Sequence, residues 1–152
     1  EQNVTQFIDT TYGVTSIAFD IDSDLWLGMG AGTRRAVEYR GTTATGDNTD
    51  QHFGGLTDLL VLSDGRVITS GNDNKLFIHD FSHVPANVQS LQVDDRVLGI
   101  EVDSTENFIF AHTANGNLTR WALSDWSEIS LNIIISGSIQ SFPRQLFQNT
   151  IN

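Results

Sequence analysis

The carboxylates of Asp20, Asp22 and Asp24 alternate along the chain as the oxygen ligands of a calcium loop do. Such a loop also needs a glycine for its sharp bend and a bidentate glutamate at its end. Leu25 and Ala31 stand at those places, so the three aspartates read as a solvated turn and no metal site is expected. Among the histidines, His52, His79, His83 and His112, only His79 and His83 have a spacing that suits a metal, and it would do so only on a helix. Val84-Pro85 directly afterwards disfavours that helix, which leaves His79 structural and His83 in a loop. A Gly-x-Ser-x-Gly elbow, a phosphate-binding loop and a dinucleotide fingerprint are all missing. The adjacent carboxylates Asp94 and Asp95 fall in a linker and read as a turn rather than as an acid/base pair. With no cysteine in the sequence, disulfides, thiolate catalysis and cysteine-ligated zinc are excluded. Neither enzymatic activity nor a cofactor is expected.

Composition narrows the partners. The chain of 152 residues carries a net charge of −11, and its only adjacent basic pair is Arg34-Arg35, so a phosphate backbone would be repelled and nucleic acid is not an expected partner. Hydrophobic residues make up 39% and charged residues 18%, the balance of a packed domain rather than of a disordered segment. No apolar run approaches the ~20 residues a membrane helix requires, Ile133-Ile134-Ile135 being a short example, so membrane insertion is not expected. The sequence starts at Glu1 with no basic and then apolar leader, which suits a processed chain or a piece of something longer and does not fix a compartment. Asn3-Val4-Thr5 and Asn117-Leu118-Thr119 are glycosylation sequons, a pattern common enough to be usually unused.

Internal repetition organises the rest. Segments 14–39, 56–80 and 97–122 superpose at steps of 42 and 41 residues: Ile17, Leu59 and Ile100 align, then Phe19, Val61 and Val102, then Leu25, Val67 and Phe108, then Trp26, Ile68 and Ile109. Each unit reads as three strands. The first alternates apolar and polar residues, as a half-buried strand does. A polar turn follows, for example Ser63-Asp64-Gly65, and then a denser apolar strand around 25–27, 67–69 or 108–110. A Gly- and Asn-rich reversal leads to a third strand ending at Tyr39, His79 or Trp121. A fourth, outer strand is expected at 87–93 and, two periods earlier, at 3–8. The matching stretch between Gly41 and Gly54 is polar and Gly-rich and predicts a short or frayed strand, or a loop. The tail offers an outer strand near 129–135 and the start of a fourth unit.

Four-stranded units of this length resemble β-propeller repeats. Unit two resembles a WD40 repeat through Leu62-Ser63-Asp64-Gly65-Arg66, Thr69-Ser70-Gly71-Asn72-Asp73-Asn74-Lys75 and Ile78-His79-Asp80, with His79-Asp80 at the place of the Trp-Asp pair. Unit one, through Asp20-Ile21-Asp22-Ser23-Asp24-Leu25-Trp26-Leu27-Gly28, is similar to the propeller repeats of two-component sensor proteins. Tyr39-Arg40 and Ala122 depart from the WD40 pattern, and His52 is the only histidine placed like one that precedes a first strand. The resemblance implies an all-β fold, a single propeller-type domain with outer strand 3–8, units of about 14–54, 56–93 and 97–135, and a partial unit 137–152. About three blades and part of a fourth leave a ring incomplete, so self-association or further sequence is expected to close it.

Binding is expected on loops held by a rigid scaffold. The loops leading into the first strands and those joining second to third strands share one end of such units, which collects Tyr12, Arg34, Arg35, Asp73, Asn74, Asp95, Arg96, Asn115 and Asn117 as partner-binding candidates. The expected function is a scaffold for protein interaction or assembly, with protein partners or its own copies. The alternative is a carbohydrate-binding propeller. Trp26 and Trp121 fall in structural slots of the repeat, which leaves Trp126 as the tryptophan available to stack on a sugar.

Overall fold

The computed structural model describes residues 11–30, 32–40, 43–49, 52–129 and 131. They form an all-β structure of three antiparallel four-stranded sheets. The first sheet holds β1 (Val14–Phe19), β2 (Leu25–Met29), β3 (Ala36–Arg40) and β4 (Thr43–Asn48) in sequential order. The second holds β5 (Leu56–Val61), β6 (Val67–Gly71), β7 (Lys75–Asp80) and β8 (Asn87–Gln92). The third holds β9 (Val97–Val102), β10 (Phe108–Thr113), β11 (Leu118–Ala122) and β12 (Glu128–Ile129). The expected outer strand at 3–8, the strand beyond Ile129 and the partial unit 137–152 lie outside the described residues.

Turn chemistry punctuates these strands. Between β1 and β2 the Asp20 carboxylate accepts the backbone N–H groups of Asp22 (3.0 Å) and Asp24 (2.8 Å) while Ser23 takes a positive φ of 67°. The carboxylate of Asp103 does the same before β10, accepting from the N–H groups of Asn107 and Phe108. The side chains thereby provide the acceptors that a tight turn otherwise lacks.

Two details of the repeat differ from the sequence reading. The polar outer strand of the first unit is formed: β4 runs for six residues, paired through Tyr39 with Ala44 and through Arg40 with Thr43. Every residue of β4 is exposed, so its ladder rather than apolar burial holds it, and hydrophobicity could not reveal it. In the third unit the second strand slips by one place. Ile17, Leu59 and Ile100 pair with Leu27, Thr69 and Ala111, so Val67 corresponds to Ile109, and Trp26 and Ile68 correspond to Phe110 rather than Ile109. Val102 pairs with Ile109 across six residues, where Phe19 with Leu25 and Val61 with Val67 pair across five, and the period of two carries the slip along the whole strand. The alignment of Tyr39, His79 and Trp121 stands, because each lies opposite the corresponding second-strand residue: Leu25, Val67 and Ile109.

The sheets stack in sequence through their first strands, β5 lying against both β1 and β9. Each sheet has a face carrying Ile17, Leu59 or Ile100, called here the front, and a reverse face. The front of the second sheet meets the reverse of the first around Trp26, Ala36, Leu56, Leu59 and Val67, with Phe81 tilted against Trp26 at 5.4 Å. The close approach depends on Gly28: a Cβ there would lie 2.7 Å from Leu56 and 2.9 Å from Leu59. The larger core fills the space between the second and third sheets, with Leu60, Ile68, Ile78, Ile100, Ile109 and Trp121 among its members.

Candidate functional site

At one end of all three sheets, the loop leading into the first strand is tied to the reversal between second and third strands. The same backbone bond recurs: Gly30 N–H to Gly13 O at 3.0 Å, Asn72 N–H to Gly55 O at 3.0 Å and Ala114 N–H to Arg96 O at 2.9 Å. Side chains reinforce it differently in each sheet. In the first, the ring of Tyr12 lies against Gly32. In the third, Asn115 (3.0 Å) and Asn117 donate amide hydrogens to Asp94, and these bonds, that from Asn115 foremost, hold the Asp94 carboxyl below its usual range.

The second sheet carries the most developed version. His52, immediately ahead of the loop into β5, is fully buried (0% exposed). Its Nδ1 is 2.9 Å from Asp73 Oδ1 and its Nε2 is 2.9 Å from Thr69 Oγ1, so the neutral ring with its proton on Nδ1 donates to the carboxylate and accepts from the hydroxyl. The second oxygen of Asp73 accepts the N–H of Phe53 at 2.8 Å, and Asn72 donates its side-chain amide to Gly54 O at 2.8 Å. Phe77 tilts over the imidazole at 4.8 Å, and Gly71 passes beneath it with no room for a Cβ. Burial pushes the His52 pKa down, more strongly than Asp73 raises it. Carboxylate, imidazole and hydroxyl in this order match the relay of a nucleophilic hydrolase. Here, however, the hydroxyl belongs to Thr69, which is fully buried inside the sheet, so the relay braces a loop instead of meeting a substrate.

The sequence-derived binding candidates therefore gather at this end, but most of them spend their polar groups on the clasps. Asp73, Asn115 and Asn117 hold their own loops. Asn74, at φ 60°, gives its carbonyl to Val93 N–H and to the side chain of Gln92. Asp95 accepts the N–H of Arg96, and Arg35 donates to Asn48 at 2.9 Å. Tyr12 and Arg96 remain exposed, and the Arg34 guanidinium lies 6.0 Å from the ring centre of Phe53. In the sequence His52 reads only as a histidine ahead of a first strand and Asp94 only as part of a linker turn, and neither they nor Phe53 stand among the binding candidates. For His52 the signal was its position two residues before the Gly54-Gly55 pair, and Phe53, in the polar stretch ahead of that pair, is 81% exposed.

Trp126 lies at the other end, where the sheets are stitched by Ser63 donating to the Glu106 carboxylate. It is half-buried against the larger core, with the Arg66 guanidinium over its ring at 5.3 Å. One face of its ring is thus covered by a cation. Among the described residues the carboxylates of Asp20, Asp24 and Glu38 come within 4.8 Å of one another, a set that replaces Asp22 of the sequence pattern by a residue from the third strand. Their oxygens are engaged: Asp20 in its turn, Asp24 by Arg40 at 2.7 Å and Glu38 by the Thr45 hydroxyl. A shallow cleft near 430 Å³ lies between Arg66, Glu106, Phe108 and Leu123, and Arg66 there is paired with Asp64.

No family model matches the chain, and no curated protein matches it. Solved structures do. One is hydrazine synthase of Kuenenia stuttgartiensis, similar with a TM-score of 0.67 at 12% identity over 83% of this chain. This chain spans 37% of that one's length, and the likeness is one of fold alone.

Proposed function

We propose that the three sheets are consecutive blades of a β-propeller with WD40-like character, and that the chain is a non-enzymatic scaffold for protein interaction or assembly. Its ring is completed by self-association or by further sequence. The observation that carries this reading is an asymmetry between equivalent positions. Leu59 and Ile100, on the front of the second and third sheets, are 0% and 5% exposed because a preceding sheet covers them, whereas Ile17 is 51% exposed and its neighbour Phe19 63%. Val14 and Ile21 extend the same apolar surface. Contiguous exposed apolar area of this kind marks an interface. The stacking of β1, β5 and β9 supports the radial arrangement, and the clasps supply a rigid rim on which loops such as the one bearing Phe53 are displayed.

Light scattering combined with dye binding tests the proposal. The chain either runs as a multiple of its 16.8 kDa mass or runs as a monomer that binds an apolar dye, with binding reduced by Phe19→Asp. A monomer that binds no dye refutes the reading.

A further inference from the structure

Asn115-Gly116, in the reversal between β10 and β11, is the single Asn-Gly step of the sequence. Glycine has no side chain to shield its amide, so its nitrogen reaches the side-chain carbonyl carbon of a preceding asparagine more readily than that of a bulkier residue does. The nitrogen forms a bond to Cγ, the Cγ–Nδ2 bond breaks, and ammonia leaves with the proton of the glycine N–H. Water then opens the cyclic imide to aspartate or isoaspartate, and a neutral amide has become a carboxylate. In the folded chain the groups that would react are held. The Gly116 N–H donates to Thr113 O at 3.0 Å, which engages the attacking nitrogen. Nδ2 of Asn115 donates to Asp94 at 3.0 Å, while its Oδ1 accepts from the Thr113 hydroxyl at 2.6 Å and from the N–H of Asn117 at 3.2 Å, which fixes the carbon under attack. The Asn117 amide donates to the same oxygen of Asp94. Asn115 and Asp94 are both exposed, so the water that completes the reaction is at hand.

The repeat shows what the product would meet. The backbone bonds from Asn72 N–H to Gly55 O and from Ala114 N–H to Arg96 O make Asn115 the counterpart of Asp73, and the residues that follow, Asn74 at φ 60° and Gly116 at φ 88°, share a left-handed backbone. Asp73 faces the ring of His52, a partner that suits a carboxylate. Asn115 faces the carboxylate of Asp94, a partner that suits an amide. A carboxylate at position 115 would set two like charges against each other and would remove the N–H that Asp94 accepts. We infer that Asn115 is a deamidation site guarded by Asp94, and that its conversion to aspartate or isoaspartate releases the clasp of the third sheet irreversibly. The guard and the trigger are the same contact: Asp94 slows the reaction while the amide is intact and repels the product once it forms. This one-way switch lies at the end of the sheets that gathers the binding candidates, and its chemistry is independent of how a ring closes.

Incubation of the full chain in neutral buffer, with conversion at Asn115 followed by peptide mapping that separates aspartate from isoaspartate, tests the guard. Asp94→Ala removes the charged acceptor, and conversion should run at least ~5-fold faster than in the native sequence, the loss of a hydrogen bond to a charged group discounted for its exposure. His52→Ala loosens the neighbouring clasp without touching Asp94 and should leave the rate at Asn115 within ~2-fold of native. Equal rates in the Asp94→Ala and native chains, absence of conversion in both, or equal acceleration by Asp94→Ala and His52→Ala would overturn the guarding role. Asn115→Asp reproduces the product and should lower the Tm. Adding Asp94→Asn returns an amide that donates to the new carboxylate while its oxygen still accepts from Asn117, and it should recover at least ~half of the loss. A Tm that Asn115→Asp leaves unchanged, or no recovery in the double variant, would overturn the release of the clasp.

Discussion

His52→Ala probes the clasp that organises the second sheet. The substitution removes the imidazole from between Asp73 and Thr69, both 2.9 Å away, and leaves a void against Phe77 and Gly71. A hydrogen bond to a charged partner contributes about 1.5–3 kcal/mol and a neutral one about 1 kcal/mol. The Asp73 side chain keeps 10% exposure, so water rescues part of its loss, and the expected cost is about 3 kcal/mol. For a domain of this size each kcal/mol lowers the Tm by about 2–4 °C, so thermal unfolding followed by circular dichroism should fall by about 6–12 °C. Asp73→Ala should cost a comparable amount, and the double variant should show a coupling of about 1–3 kcal/mol because the two groups share one network. A shift under ~1 °C for His52→Ala, or additive effects in the double variant, would refute the bracing role.

Acidification should weaken the fold. Burial lowers the pKa of both His52 and His112 below the ordinary 6.5, so between those values the unfolded chain binds more protons. Stability is then complete above about pH 6.5 and declines as pH falls through that value, and a Tm that stays flat or rises from pH 7.5 to 5.5 would contradict it. Leu59→Ala should cost about 2–5 kcal/mol by chemical denaturation. Phe19→Ala, on the uncovered face, should stay within about 0.5 kcal/mol, and similar costs at the two positions would remove the asymmetry on which the open face rests. Gly71→Ala should destabilise by about 1–3 kcal/mol in the same assay because its methyl group overlaps the His52 ring, and a neutral result would displace that ring from its assigned place.

The fold was legible where burial dictates residue type. Ile17, Leu59 and Ile100 and the strands around them follow from period-two alternation and a fixed repeat. What escaped has physical reasons. β4 is exposed throughout and held by its ladder. The slip in β10 comes from one additional turn residue, which no apolar pattern records at single-residue precision. The clasp was half visible, since Asp73 was identified as a loop residue but its partner is a buried histidine 21 positions earlier. Asp73, Asn115 and Asn117 looked like free surface polars because spacing reveals that a residue lies in a loop and not which backbone groups it satisfies. Trp126 looked free for the same reason, since its cover comes from Arg66 of another sheet.

The proposed radial arrangement of the sheets is open to one direct measurement. Ala44 and Val88 occupy equivalent exposed positions on the outer strands, opposite Tyr39 and His79. Spin labels on Ala44→Cys and Val88→Cys in this cysteine-free chain report their separation by pulsed electron resonance. Blades that meet at β1 and β5 and fan outward place the outer strands well beyond the ~10 Å spacing of sheets packed face to face, and a separation held near ~10 Å would contradict the propeller.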